Sequence, residues 1–252
     1  MPEVRQVADT TFDPPVRGFL HSPESANSSG LILTHGAGGN AQAPLLIALA
    51  ETFSSAGFMV LRINLPYRQS RFLGPPRPAD AARDRAGIKN AIGALCKIED
   101  VQGKSKSPPS RTGRDKDGAP PGRKIFLGGH SYGGRQCSML CAELSKEGPA
   151  KDESGLVSGL LLCSYPLHPP GKPEQRRTRH LPGIRIPTLF VHGTRDPFGS
   201  VDEMEQAIKL IPAETKLLIV ENAGHDLGFK GKSRREELPG MVFREFSQLL
   251  GL

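Results

Sequence analysis

The sequence predicts an α/β fold in which a mostly parallel central sheet carries helices on both faces. Two observations predict it: short aliphatic runs alternate with longer stretches of helical period, and those runs are apolar throughout instead of alternating apolar with polar. The second marks strands covered on both sides. The order reads off directly. Gly30 to His35 is a buried strand, and Pro44 to Ala56 follows as a helix with Leu45, Leu46, Leu49 and Phe53 on one stripe, closed by Gly57. Phe58 to Ile63 is the next strand. A Pro- and Arg-containing loop from Asn64 to Pro78 leads to a helix from about Ala79 to Glu99. Lys124 to Gly128 is a strand and Tyr132 to Lys146 a helix; Leu156 to Ser164, Thr188 to His192 and Lys216 to Val220 are further strands, and Glu236 to Leu250 closes the chain as a helix.

A length of 252 residues with 37% apolar side chains is ample for one domain spanning residues 1–252, without metal or disulfide staples. Four cysteines, Cys96, Cys137, Cys141 and Cys163, show no CxxC pairing, which argues against a zinc site or a disulfide framework and fits a reducing compartment. The N-terminus lacks a charged segment followed by an apolar core, and no apolar run reaches the length of a membrane span. A soluble, cytoplasmic protein without a membrane partner is expected, and oligomeric state is not encoded in any feature.

Lys and Arg number 33 against 26 Asp and Glu, a formal charge of +7 that raises a nucleic-acid partner. Its distribution removes that reading. Residues 103 to 124 carry a net +5 and residues 172 to 180 a net +3, so the remaining scaffold is close to neutral, and no nucleic-acid motif is present. Residues 103 to 124 have Ala119 as their one apolar side chain and are expected to be a flexible basic insertion. Residues 166 to 183, also rich in Pro and Arg, directly follow a strand, so they are expected to form a loop over the sheet's ligand edge.

Gly129-His130-Ser131-Tyr132-Gly133 matches G-x-S-x-G between a strand and a helix, where a sharp turn lifts the Ser131 hydroxyl above the sheet. Random order of this composition yields roughly 0.25 such matches per chain, so context has to carry the assignment. A hydroxyl becomes a nucleophile when a base takes its proton and an acid orients that base. On this topology the partners follow the serine as acid, then histidine. Asp196 comes directly after the strand ending Phe190-Val191, and His225 directly after the strand Leu217 to Val220. Singly, Asp196 reads equally well as an Asx turn before Pro197 and His225 as a loop histidine; three residues at three strand ends are much harder to obtain by accident. Glu221 is the rival acid. For the oxyanion, the backbone N–H of Tyr132 is one donor. The loop Thr34-His35-Gly36-Ala37-Gly38-Gly39 supplies a second, from Ala37 first or Gly38 as the alternative. That loop fits neither dinucleotide nor P-loop spacing, and no cofactor or metal is expected.

Tyr67, Arg68 and Arg71, after the second strand, and Arg135, in the first turn beyond Ser131, are placed to line the pocket. Facing it together they would favour an acidic substrate; solvated surface arginines are the competing reading. His168, in the loop 166–183, is a further substrate contact candidate, with a structural role as its alternative. His35 and His192 read as packing or hydrogen-bonding residues.

At these residues the chain resembles the α/β-hydrolase superfamily, and more narrowly the group that includes testis-expressed protein 30 and the hydrolase-like domain of NSL-complex subunit 3. The carriers are LILTHGAGG (31–39), SAGFMVLRINLPYR (55–68), GGHSYGG (128–134), CSYPLHPPGKPEQ (163–175), LFVHGTRDPFG (189–199) and ENAGHDLGFKGKS (221–233). The resemblance implies an α/β-hydrolase fold without a large lid domain, with Ser131 as nucleophile, Asp196 as acid and His225 as base. The complete triad favours an active serine hydrolase, expected to act on a small-molecule ester or thioester through an acyl-enzyme; the resemblance does not set the substrate, and because some members look like complex subunits the alternative is a non-catalytic binding or regulatory module.

Overall fold

The computed structural model describes residues 2–103, 124–146, 157–229 and 235–252. The expected flexible insertion, apart from its two end residues, lies outside the described residues. Eight strands form one sheet: β1 (Glu3–Asp9), β2 (Val16–Ser22), β3 (Ser29–Thr34), β4 (Met59–Ile63), β5 (Lys124–His130), β6 (Val157–Cys163), β7 (Thr188–Gly193) and β8 (Thr215–Val220). Their order across the sheet is β1-β2-β4-β3-β5-β6-β7-β8. From β4 to β8 every pairing is parallel, and β1 and β2 join antiparallel at one edge. The helices are α1 (Pro44–Ser55), α2 (Pro66–Ser70), α3 (Asp80–Gly103), α4 (Tyr132–Leu144), α5 (Val201–Ile208) and α6 (Leu238–Leu250).

Alternation along each strand splits the core into two layers. Ile32, Leu61, Leu127, Leu160 and Leu162 point to the face covered by α3 and α4, where they meet Ile88, Leu95, Cys137 and Leu140. Leu31, Leu33, Val60, Phe126 and Leu161 point to the opposite face and pack on Leu46, Leu49 and Phe53 of α1 and on Val242 and Phe246 of α6. Both faces are therefore dry, as the continuous apolar runs require, and each fully buried Leu or Phe contributes about 1.5–3 kcal/mol. The charge inside β4 is accommodated: Arg62 donates to His21 and to the carbonyl of Ala41, and its guanidinium lies 5.1 Å above the Phe19 ring.

Two features of the fold depart from the expectation. The hairpin β1–β2 was not visible as strands, because β1 exposes most of its residues and buries Val7 alone. The close approach of β2 to β4 depends on Gly18, where a Cβ would run into the Arg62 carbonyl. The loop 64–78 contains α2, which starts at Pro66 and donates backbone N–H groups to Asp84 and to Leu65. Among the described residues no helix is long and apolar enough to cross a membrane, and no separate lid domain stands apart from the sheet and its helices.

The register sets up the site. Thr34 pairs with Gly129, His130 with Cys163, and Gly193 with Val220, so the chain segments leaving β3, β5, β7 and β8 emerge side by side at the carboxyl edge. That is the edge at which open parallel sheets bind ligands.

Candidate active site

Ser131 occupies the tight turn between β5 and α4, with φ 52° and ψ −118°. A non-glycine residue in this region is strained, and here the strain sits on the serine itself. The flanking glycines answer a steric demand. A Cβ on Gly129 would overlap the Thr34 hydroxyl and crowd Gly134 N at 2.8 Å, and one on Gly133 would lie 2.5 Å from both the His35 carbonyl and the Thr34 hydroxyl. The Ser131 N–H is anchored on the Cys163 carbonyl at 2.8 Å, which ties the turn to β6.

The acid and base loops are stitched together before they reach the serine. Arg195 N–H donates to Ala223 O (2.9 Å), Asn222 N–H to Thr194 Oγ1 (2.9 Å), and the Arg195 guanidinium to Asn222 Oδ1 (2.8 Å). At Gly193 the loops approach so closely that a side chain would collide with the Ala223 carbonyl. Asp196 is fully buried in its side chain, and its Oδ1 accepts the Phe198 N–H at 2.9 Å. The His225 ring then spans the gap. Its Nδ1 lies 2.8 Å from Asp196 Oδ2 and 3.0 Å from Oδ1, and its Nε2 lies 2.8 Å from Ser131 Oγ. A carboxylate accepts only, so Nδ1 carries the proton and Nε2 is left to accept from the serine hydroxyl. Glu221 is exposed and takes no part in this chain of contacts.

Two further residues contact His225, and neither carries a signal for it in the sequence. The Phe198 ring lies 4.2 Å from the His225 ring, at 31°, covering one face of the imidazole. His130 directs its Nε2 at the His225 carbonyl, 2.7 Å away, with the two rings 5.1 Å apart. Burial pushes His130 down to about 4, so it is neutral and donates to that carbonyl. His35 is likewise pushed down to about 4 by burial. Its Nδ1–H serves the Gly36 carbonyl (2.9 Å) and its Nε2 accepts from Leu65 N–H (3.1 Å), a structural use of both nitrogens. Only contacts show these roles, since a histidine's position in a motif does not reveal its ring partners.

The glycine loop after β3 faces Ser131 across a cleft of about 550 Å³. Gly36, Ala37, Gly38, Leu45, Leu46, Phe198, His225 and Phe229 are among its walls. The N–H groups of Ala37 and Gly38 have no protein acceptor among the described residues. Tyr132 N, in the first turn of α4, has no acceptor within the helix. These are the three donors expected at the oxyanion position.

The expected substrate residues lie elsewhere. Tyr67 is buried, with its hydroxyl donating to Ala37 O at 2.8 Å. Arg68 spends its guanidinium on five backbone carbonyls, of Gly39, Ala37, Arg71, Phe72 and Gly74. Arg71 pairs with Asp80. Arg135 is partly buried with its Nε enclosed and unpartnered, and His168 is buried against Glu203 at 3.3 Å. None of the five is among the described residues that line the cleft, and no Lys or Arg is. Loop carbonyls occupy the Arg68 guanidinium and the Asp80 carboxylate that of Arg71. Residues 166–183 also contribute nothing to those walls. They fold against α4 and α5 instead, through His180 to Ser138 of α4 (2.8 Å) and His168 to Glu203 of α5 (3.3 Å), while Tyr165 donates to the Arg177 carbonyl (2.6 Å) and His168 N–H to the Phe198 carbonyl (3.0 Å).

Residues 27–242 match the family described as alpha/beta hydrolase domain, and the chain belongs to that family. Solved structures share the architecture. The dienelactone hydrolase from Anabaena variabilis ATCC 29413 superposes with a TM-score of 0.65 at 20% identity, over 99% of each chain. Est1E from Butyrivibrio proteoclasticus gives 0.62 at 15% identity, over 98% of this chain and 99% of that one. XC6422 from Xanthomonas campestris, described as a member of the α/β serine hydrolases without a lid, gives 0.63 at 14% identity, over 100% of this chain and 96% of that one.

Proposed function

We propose that the chain is a serine hydrolase that cleaves a small, uncharged ester or thioester through an acyl-enzyme. The observation that carries the reading is the unbroken relay from Asp196 through His225 to Ser131, each link 2.8 Å long, opening on an apolar cleft. Ser131 Oγ attacks the carbonyl carbon as its proton passes to His225 Nε2, and buried Asp196 stabilises the imidazolium. The oxygen that becomes negative is received by the N–H groups of Tyr132 and of Ala37 or Gly38, in a site where such donors are worth several kcal/mol. The tetrahedral species collapses, the leaving alcohol or thiol takes the proton from His225, and the acyl group remains on Ser131. Water then repeats the sequence, giving its proton to His225, which returns it to Ser131 Oγ as the acid leaves.

The walls support an uncharged acyl group. Leu45, Leu46, Phe198 and Phe229 offer apolar contact, and no cation among the described lining residues compensates a carboxylate, which reverses the acidic-substrate expectation. The name of the dienelactone hydrolase neighbour is in keeping with this chemistry. The narrower likeness to the group of testis-expressed protein 30, and a cytoplasmic setting, belong to the same reading. Turnover of p-nitrophenyl butyrate tests it: hydrolysis lost in both Ser131→Ala and His225→Ala supports the enzyme. A folded wild-type protein without turnover of p-nitrophenyl or thioester substrates favours a binding module.

A further inference from the structure

Two halves of the oxyanion site lie on different elements: Tyr132 N on α4 and the Ala37–Gly38 amides on the loop after β3. Nothing in the triad sets the distance between them. One buried side chain does connect them. Asp84, on α3, is fully buried. Its Oδ2 accepts the Tyr132 hydroxyl at 2.7 Å, and its Oδ1 accepts the backbone N–H of Tyr67 at 2.9 Å. The two tyrosine rings meet edge to face, 5.8 Å apart.

Tyr67 continues the connection to the loop. Its hydroxyl donates to Ala37 O at 2.8 Å and lies 3.3 Å from Gly36 O. Arg68 reinforces this from the same helix, with Nη2 on Ala37 O (3.0 Å) and Nε on Gly39 O (2.9 Å). In a trans peptide the C=O and the following N–H point in opposite directions. Pinning Gly36 O and Ala37 O toward Tyr67 therefore turns the N–H groups of Ala37 and Gly38 the other way, and both residues line the cleft.

We propose that Asp84 is a positioning residue for the oxyanion site, bracing Tyr132 against Tyr67 so that the amides of Tyr132 and of Ala37 or Gly38 converge on one point. This rests on the hydrolase reading above. The brace works through geometry, so an isosteric amide preserves it: in Asp84→Asn, Oδ1 still accepts Tyr67 N–H, and the Tyr132 hydroxyl accepts from the new NH₂. Asp84→Ala removes both contacts, and Tyr67→Phe removes only the hydroxyl that pins the loop.

The test measures two quantities on wild type, Asp84→Asn, Asp84→Ala and Tyr67→Phe, each checked for folding by circular dichroism. Steady-state hydrolysis of p-nitrophenyl butyrate is expected to show kcat reduced about 10- to 100-fold in Asp84→Ala and Tyr67→Phe, with KM changed less than threefold and Asp84→Asn within about threefold of wild type, as for a donor used in the transition state. Amide order parameters of Ala37 and Gly38 are expected to fall from near 0.85 to below about 0.6 in the two disruptive variants and to stay high in Asp84→Asn. Wild-type protein without turnover defeats the hydrolase reading, and the order parameters then decide the brace alone. Unchanged order parameters and kcat within twofold of wild type in folded Tyr67→Phe and Asp84→Ala overturn the brace.

Discussion

Replacing Asp196 by Asn changes little in shape and much in proton placement. Oδ1 accepts the Phe198 N–H at 2.9 Å, so an amide must set its oxygen there, since its NH₂ would oppose another donor. The NH₂ then takes the Oδ2 position, 2.8 Å from His225 Nδ1, and donates to it. His225 is forced into the other tautomer, with its proton on Nε2, 2.8 Å from Ser131 Oγ. The base now donates to the nucleophile it should deprotonate. The same exchange in a serine protease triad lowers kcat by about 10⁴, or about 5.5 kcal/mol of transition-state stabilisation. A similar loss is expected here in kcat for p-nitrophenyl butyrate, with the thermal midpoint within a few degrees of wild type. Folded Asp196→Asn retaining activity within tenfold of wild type would refute the tautomer argument.

Two further outcomes are expected. Adding a terminal carboxylate to the acyl chain, p-nitrophenyl butyrate against its succinyl analogue, lowers kcat/KM at least about tenfold, because the walls desolvate the charge without pairing it; equal efficiency would return a cation to the site. His35 and His130 are both pushed down to about 4 by burial, from an ordinary 6.5, so the unfolded chain binds protons that the folded one refuses. Stability is therefore full above about pH 6.5 and falls as pH drops toward 4, by about 2 kcal/mol per histidine at pH 5. Equal denaturant midpoints at pH 7 and pH 5 would contradict this, and His130→Gln should weaken the dependence without abolishing it.

The strands β3 to β7 are legible because strands covered on both faces have to be apolar throughout, and Leu31 to Thr34 or Leu160 to Cys163 admit few other readings. The hairpin β1–β2 is not, since an edge strand that buries only Val7 shows no such run. The positions of Ser131, Asp196 and His225 were legible because a strand's end carries its next residue to one edge of the sheet, whatever the side chains. Side-chain direction was not. Arg68 follows β4 and Arg135 follows the Ser131 turn, yet Arg68 goes to carbonyls of the glycine loop and the pocket is left to Phe198 and Phe229. Asp84 was silent in the sequence for the same reason: one carboxylate on a helix has no period, and only packing reveals that it faces two tyrosines.

The proposed chemistry requires Ser131 to be a hydroxyl activated by His225. A fluorophosphonate probe followed by intact-mass and peptide analysis measures that directly. One adduct per chain, located on Ser131 and abolished in both Ser131→Ala and His225→Ala, is the predicted result; labelling that survives in Ser131→Ala, or a folded wild-type protein that takes up no probe, would contradict it.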